Sequence, residues 1–149
     1  MKRTTEQPRP YLEETTNVRV RFHEVDALGI VWHGHFVAYC EEARRAFGRR
    51  YGIDYPLFRQ HGVTAPVVSL WLDYKLPARF DDLLEVTARL YKNDAAKLEF
   101  AYEVTCGRKL LATGGSVQVF TKLDGELLLT APPFLEELYR QWEKLWIRR

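Results

Sequence analysis

From Val68 to Thr121 apolar and polar residues alternate through four successive runs. Val68, Leu70, Leu72 and Tyr74 alternate with Ser69, Trp71, Asp73 and Lys75 as far as Pro77. Leu84, Val86, Ala88 and Leu90 alternate with Glu85, Thr87, Arg89 and Tyr91. After Asn93-Asp94 the apolar set is Leu98, Phe100, Tyr102 and Val104, and after Gly107 the alternation runs from Leu111 to Thr121. Period two marks half-buried strands, and the short links between them make neighbours antiparallel. The apolar face of such a sheet must be buried against something. The chain offers one long partner: Phe36, Val37, Cys40, Ala43 and Phe47 recur at helical spacing before Gly52, with Ala38, Tyr39 and Ala46 widening the stripe. The expected architecture is therefore a two-layer α+β domain, sheet on helix.

The remaining segments fit around that frame. Residues 1–15, rich in charge and carrying Pro8 and Pro10, read as a flexible N-terminal arm. From Thr16 a strand places Val18, Val20 and Phe22 on one face. A short helical turn is expected from Leu57 to His61, stopped by Gly62. The Gly114-Gly115 pair suits a bulge or a close backbone approach. Asp124-Gly125 signals a hairpin, and Pro132-Pro133 opens a terminal helix with Leu135, Leu138, Trp142 and Leu145. Residues 16–149 are read as a single domain. Trp71, Tyr91 and Ala101 fall on the outer sheet face by alternation, which points to self-association.

Composition excludes several function classes. The 22 basic and 20 acidic residues leave a formal charge of +2, so no global field favours nucleic acid or a membrane surface. The longest run from the hydrophobic set is Phe36 to Cys40, far short of a span. Cys40 and Cys106 form neither a disulfide framework nor a zinc spacing, and with a polar opening segment the expectation is a cytoplasmic protein.

The segment Phe22 to Phe36 carries the chemistry. Asp26 lies among Val25, Ala27, Leu28, Ile30, Val31 and Trp32, and a carboxylate kept from water by apolar neighbours becomes a better base near neutrality. Just beyond it the long helix starts, with N–H groups that have no intrahelical partner and the positive end of the dipole behind them. A base and a carbonyl clamp are the minimum equipment for acyl hydrolysis. An Asp before a helix is also a common turn residue. His33 and His35 would point about 160° apart on a helix, so no metal site is expected. Ser69 and Ser116 lack a nucleophile-elbow context, Cys40 sits on the apolar helix face, and no phosphate-binding glycine loop occurs.

Arg21, Phe22, Glu24, Asp26, Gly29, Ile30, Val31, His33 and Phe36, followed by Glu41, Ala43 and Arg44, resemble the signature of hot-dog-fold acyl-CoA thioesterases. The nearest branch is similar to 4-hydroxybenzoyl-CoA thioesterase and the YbgC-like enzymes. The run Tyr74 to Asp82 resembles that family's second motif. The resemblance implies a hot-dog fold, an antiparallel sheet wrapped around a long central helix, in a homodimer with sites at the subunit interface. Such dimers commonly pair into a homotetramer. It implies hydrolysis of acyl-CoA or acyl-carrier-protein thioesters, with CoA as part of the substrate and no separate cofactor. Asp26 becomes the catalytic carboxylate, as base or nucleophile, and His33 supplies the N–H that polarises the carbonyl. Gly29, Ile30, Val31, Trp32, Phe36 and Glu41 are placed against the substrate. Two other readings stand beside it. A hot-dog dehydratase or hydratase would show a Pro-Gly after the histidine, where this chain has Gly34-His35-Phe36. A non-catalytic acyl-CoA-binding protein would have lost the carboxylate or gained an effector segment.

Overall fold

The computed structural model describes residues 9–148. Strand β1 (Tyr11–Arg19) leads through a 3-10 turn (Phe22–Glu24) and a loop into helix α1 (His35–Tyr51), then helix α2 (Tyr55–Gln60). Strands β2 (Val63–Thr64), β3 (Val67–Tyr74), β4 (Leu83–Tyr91), β5 (Lys97–Cys106), β6 (Lys109–Val119) and β7 (Thr121–Lys122) follow, and helix α3 (Pro133–Gln141) closes the order. Five strands form one antiparallel sheet in the order β1-β4-β5-β6-β3, while β2 pairs with β7. This is the hot-dog arrangement, with α1 laid on the β1–β4 side of the inner face.

The alternation that predicts the strands is also what builds the core. Leu84, Val86, Ala88 and Leu90 of β4 and Leu98, Phe100, Tyr102 and Val104 of β5 all point inward and are buried. From the helix, Phe36, Tyr39, Cys40, Ala43 and Phe47 meet them, and the Phe47 and Phe100 rings pack edge to face at 5.3 Å. Burying each large apolar side chain contributes roughly 1.5–3 kcal/mol. No helix among the described residues is long and apolar enough to cross a membrane.

Three local expectations are corrected. The arm expected through residue 15 is shorter, because Tyr11 to Thr15 already belong to β1, in register with Tyr91 to Thr87; the rest of it, residues 1–8, lies outside the described residues. Polar residues hide this strand from a hydrophobicity reading, since cross-strand polar pairs support it. Glu13 accepts from Arg89 at 2.7 Å, and the Thr15 and Thr87 hydroxyls bond at 2.7 Å. Next, β1 ends at Arg19, so the 3-10 turn takes Phe22 off the face it was expected to share with Val20 and leaves it 80% exposed. Finally, α3 stops at Gln141; Leu145 is exposed, and Trp146 instead packs with Tyr139 and Trp142.

At Gly114-Gly115 the close approach is what the structure shows. A Cβ on Gly115 would run into the Trp71 ring, which lies across it on the outer face. The inner row of β3 is only partly covered. Leu72 packs against the core and the Tyr74 ring against Phe36, while Leu70 and Tyr74, opposite the buried Ser116 and Ala112, stay 40% and 47% exposed, because α1 lies mainly on the β1–β4 side of the sheet.

Candidate active site

The loop between the 3-10 turn and α1 is a small hairpin. Val25 and Val31 pair across it, the Asp26 N–H donates to the Ile30 carbonyl at 2.8 Å, and the Gly29 N–H returns to the Asp26 carbonyl at 3.0 Å. Gly29 has φ +79°, a left-handed conformation that glycine adopts without strain. Two anchors hold this hairpin in place. The Val31 N–H donates to the carbonyl of buried Ala78 at 2.8 Å, and the Trp32 N–H donates to the Glu24 carbonyl at 3.0 Å. Glu24 is itself buried, and its carboxylate accepts from the Arg21 N–H at 2.8 Å.

Asp26 sits at the base of the hairpin tip and is half-buried. One carboxylate oxygen accepts from the Leu28 N–H at 2.8 Å, which is a turn-forming role. The other accepts nothing among the described residues. The apolar enclosure expected from the sequence is incomplete in this chain: Leu28 is 80% and Trp32 49% exposed. Hairpin geometry turns these side chains outward while Val31 turns in.

The helix start follows directly. His35, Phe36 and Val37 donate their N–H groups to the carbonyls of Trp32, His33 and Gly34 at 2.9, 3.3 and 3.2 Å. The N–H groups of His33 and Gly34 come before these and donate to no acceptor among the described residues. They are therefore open donors at the positive end of a 17-residue helix. The Trp32 ring covers Gly34 so closely that a Cβ there would meet it. That ring also contacts His33 and His35, at 5.0 and 5.5 Å between centroids.

Tyr74 is the residue the sequence reading missed here. From the end of β3 its hydroxyl donates to the His33 carbonyl at 2.7 Å, while its ring packs on Phe36 at 5.2 Å. Burial, and then neighbouring Cys40, push this hydroxyl up, so it stays protonated and able to donate. The available signal was its place on the inner face at the open end of an edge strand.

The structure thus brings Asp26, Gly29, Ile30, Trp32 and His33 together on one loop. Val31 and Phe36 are buried beneath it. Glu41 lies elsewhere, farther along α1, where both its oxygens accept from Arg44 at 2.6 Å. Burial pushes the Cys40 thiol up to about 12, which leaves it inert as a nucleophile. Ser116 is likewise occupied by a buried bond of 2.7 Å with Tyr102. No three His, Cys, Asp or Glu side chains converge as metal ligands among the described residues.

Residues 20–141 match the model of the thioesterase-like superfamily. The chain belongs to that superfamily. Among curated relatives, a protein of Aquifex aeolicus whose name proposes an esterase is 37% identical over 86 residues, covering 58% of this chain and 67% of its own length. The acyl-CoA thioester hydrolase YbgC of Escherichia coli O6:H1 is 28% identical over 102 residues, 68% of this chain and 76% of its own. Among solved structures, a hypothetical protein of Thermus thermophilus superposes with a TM-score of 0.75 at 35% identity, covering 88% of this chain and 98% of that one.

Proposed function

We propose that this protein is a thioester hydrolase that cleaves acyl-CoA or acyl-carrier-protein thioesters to the free acid and thiol. One observation carries the reading: a carboxylate with an unused oxygen, Asp26, stands on the loop that runs into the open N–H groups of His33 and Gly34. The substrate carbonyl would accept from these amides, and the helix dipole would favour the negative charge that grows on its oxygen. Asp26 would then serve in one of two balanced routes. As a base it takes a proton from water while the hydroxide adds to the carbonyl carbon; the C–S bond breaks and the thiolate leaves with that proton. As a nucleophile it forms an anhydride with loss of thiolate, and water then hydrolyses the anhydride. Neither route requires a cofactor beyond the substrate's own carrier.

A second copy would complete the site. Exposed Phe22, Leu28 and Trp32 around the loop, together with the half-exposed Leu70 and Tyr74 of β3, form an apolar surface that a single copy leaves open. A homodimer would cover it and wall Asp26 from water. The outer sheet face around Trp71 would remain for pairing dimers into a tetramer. The turn bond from Leu28 to Asp26 favours one competing reading, a structural carboxylate in an acyl-CoA-binding protein. Thiol release from a panel of short, long and aromatic acyl-CoA esters, with Asp26→Asn as control, separates the two: binding without release supports the binder.

A further inference from the structure

Val31 ties the catalytic hairpin to the rest of the fold at a sensitive point. On one side it pairs with Val25, the neighbour of Asp26, and on the other it precedes the open N–H groups of His33 and Gly34. A shift of Val31 therefore changes the separation between the carboxylate and the carbonyl clamp. Its N–H donates to the Ala78 carbonyl at 2.8 Å, so whatever fixes that carbonyl also fixes the site.

Ala78 belongs to the connection between β3 and β4, residues 75–82, which contains neither helix nor strand. Connections of this kind are usually the mobile parts of a fold, yet this one is pinned at both ends. The N–H groups of Lys75 and Leu76 donate to the Leu111 carbonyl at 2.8 and 3.1 Å. At the other end the Val20 N–H donates to the Asp82 carbonyl at 2.9 Å, and the Val20 carbonyl accepts from the Asp81 N–H at 3.1 Å. Asp81 has φ +67°, a left-handed conformation that Asp adopts more readily than most side chains. Arg19 Nη1 holds it there, donating to its carbonyl at 2.8 Å.

This turn brings the Asp82 carboxylate back onto Arg79. Oδ2 accepts from the Arg79 N–H at 2.9 Å, while the Asp82 N–H donates to the Arg79 carbonyl at 3.1 Å. The Arg79 N–H and the Ala78 carbonyl are the two ends of one planar peptide group. Asp82 grips the donor end and Val31 engages the acceptor end, so the carboxylate sets the direction in which the carbonyl points. The Phe22 and Phe80 rings, edge to face at 5.7 Å, add a second contact between this connection and the turn that leads into the hairpin.

We propose that Asp82 is a positioning residue for the reaction. Acting through the Ala78–Arg79 peptide, it sets where Val31 stands, and with it the separation of Asp26 from the open amides of His33 and Gly34. The proposal rests on the thioesterase reading above and deepens it.

The test uses the full chain and two independent readouts. Thiol release gives kcat and KM on the fastest ester of the acyl-CoA panel above, and NMR follows backbone amide exchange at Val31 and Arg79. Asp82→Ala removes the acceptor, whereas Asp82→Asn keeps a side-chain oxygen for the Arg79 N–H. In Asp82→Ala, kcat should fall about tenfold with KM little changed, within the roughly hundredfold that a misplacement of about 1 Å can cost. Both amides should exchange several-fold faster, and Asp82→Asn should restore both readouts. Glu99→Gln, a change on the outer face of β5, is the stability control: it should lower the thermal midpoint and leave kcat and Val31 exchange unchanged. A folded Asp82→Ala with wild-type kcat, or with wild-type exchange at Val31, overturns the proposal. So does an Asp82→Asn that falls as far as the alanine, or a Glu99→Gln that loses as much kcat for the same drop in midpoint. Should Asp82→Ala not fold, Asp82→Glu, which carries the same charge one methylene too far, replaces it with the same expectations and the same overturning results. If no ester of the panel releases thiol, the thioesterase reading has failed, while exchange at Val31 and Arg79 still decides whether Asp82 holds the hairpin.

Discussion

The Tyr74 hydroxyl donates a 2.7 Å hydrogen bond to the carbonyl of His33, tying the end of an edge strand to the start of the central helix. That carbonyl also accepts from the Phe36 N–H, so the peptide joining His33 to Gly34 is held from two sides. The Gly34 N–H, on the same peptide plane, is thereby aimed by Tyr74. Tyr74 is a positioning residue. Tyr74→Phe keeps the ring packing on Phe36 and removes only the bond, at a stability cost of about 0.5–1.5 kcal/mol. Steady-state thiol release should show kcat reduced several-fold with KM little changed. An unaltered kcat would show that the bond does not set the carbonyl clamp.

Asp26→Asn separates turn from chemistry. The asparagine side chain still offers an oxygen to the Leu28 N–H, so the hairpin and the thermal midpoint should be preserved. The unused oxygen is replaced by an amide that can neither take a proton nor attack a carbonyl. Turnover should fall by about 10²–10⁴. Single-turnover hydrolysis by the wild type in ¹⁸O-water then distinguishes the routes. Label in the Asp26 carboxylate identifies the nucleophilic route with water attacking the aspartyl carbonyl, and an Asp26 hydroxamate formed in hydroxylamine identifies the same anhydride when water attacks the acyl carbonyl instead; the general-base route yields neither. A variant that turns over like the wild type would remove Asp26 from the chemistry.

Legibility in the sequence followed the physics of each segment. Strands β4 and β5 could be read because one face is buried and the other wet, which is what alternation records. The first half of β1 could not, since its support comes from partners such as Arg89 and Thr87, 76 and 72 residues away. The loop from Phe22 to Phe36 was visible as a local motif, and its local hydrogen bonds explain why. Tyr74 acts through a contact between elements, 41 residues from His33, so spacing along the chain carried little trace of its role. Phe22 and Leu28 show the converse limit: apolar neighbours in sequence turned outward and do not enclose Asp26.

Gly34 and Trp32 should behave as a coupled pair. A Cβ at Gly34 would occupy the space of the indole ring. Trp32 is half-exposed, so its ring can swing away and Gly34→Ala should cost little stability. The same swing strips one wall from the carbonyl clamp, and thiol release should drop several-fold. In Trp32→Ala the obstacle is already gone, so adding Gly34→Ala should have little further effect. A double-mutant cycle on kcat/KM measures this, and strictly additive losses would refute the coupling.

Glu99 predicts the acid limb of stability. Burial alone would raise its carboxyl, but hydrogen bonds and charge from Arg9 and Lys97 outweigh it and hold the group below its ordinary value. Arg9 approaches one oxygen at 2.5 Å, while Lys97 and Asn93 reach the other at 2.7 Å. A carboxyl lowered by folding contributes stability above its unfolded pKa, and that contribution is lost as pH falls through the folded value. Glu99→Gln should therefore lower the thermal midpoint at pH 7. The gap between variant and wild type should narrow as pH drops below about 4.3, the ordinary value for glutamate. Melting curves at pH 7, 5, 4 and 3 measure the gap, and one that widens towards acid would reverse the sign and refute the assignment.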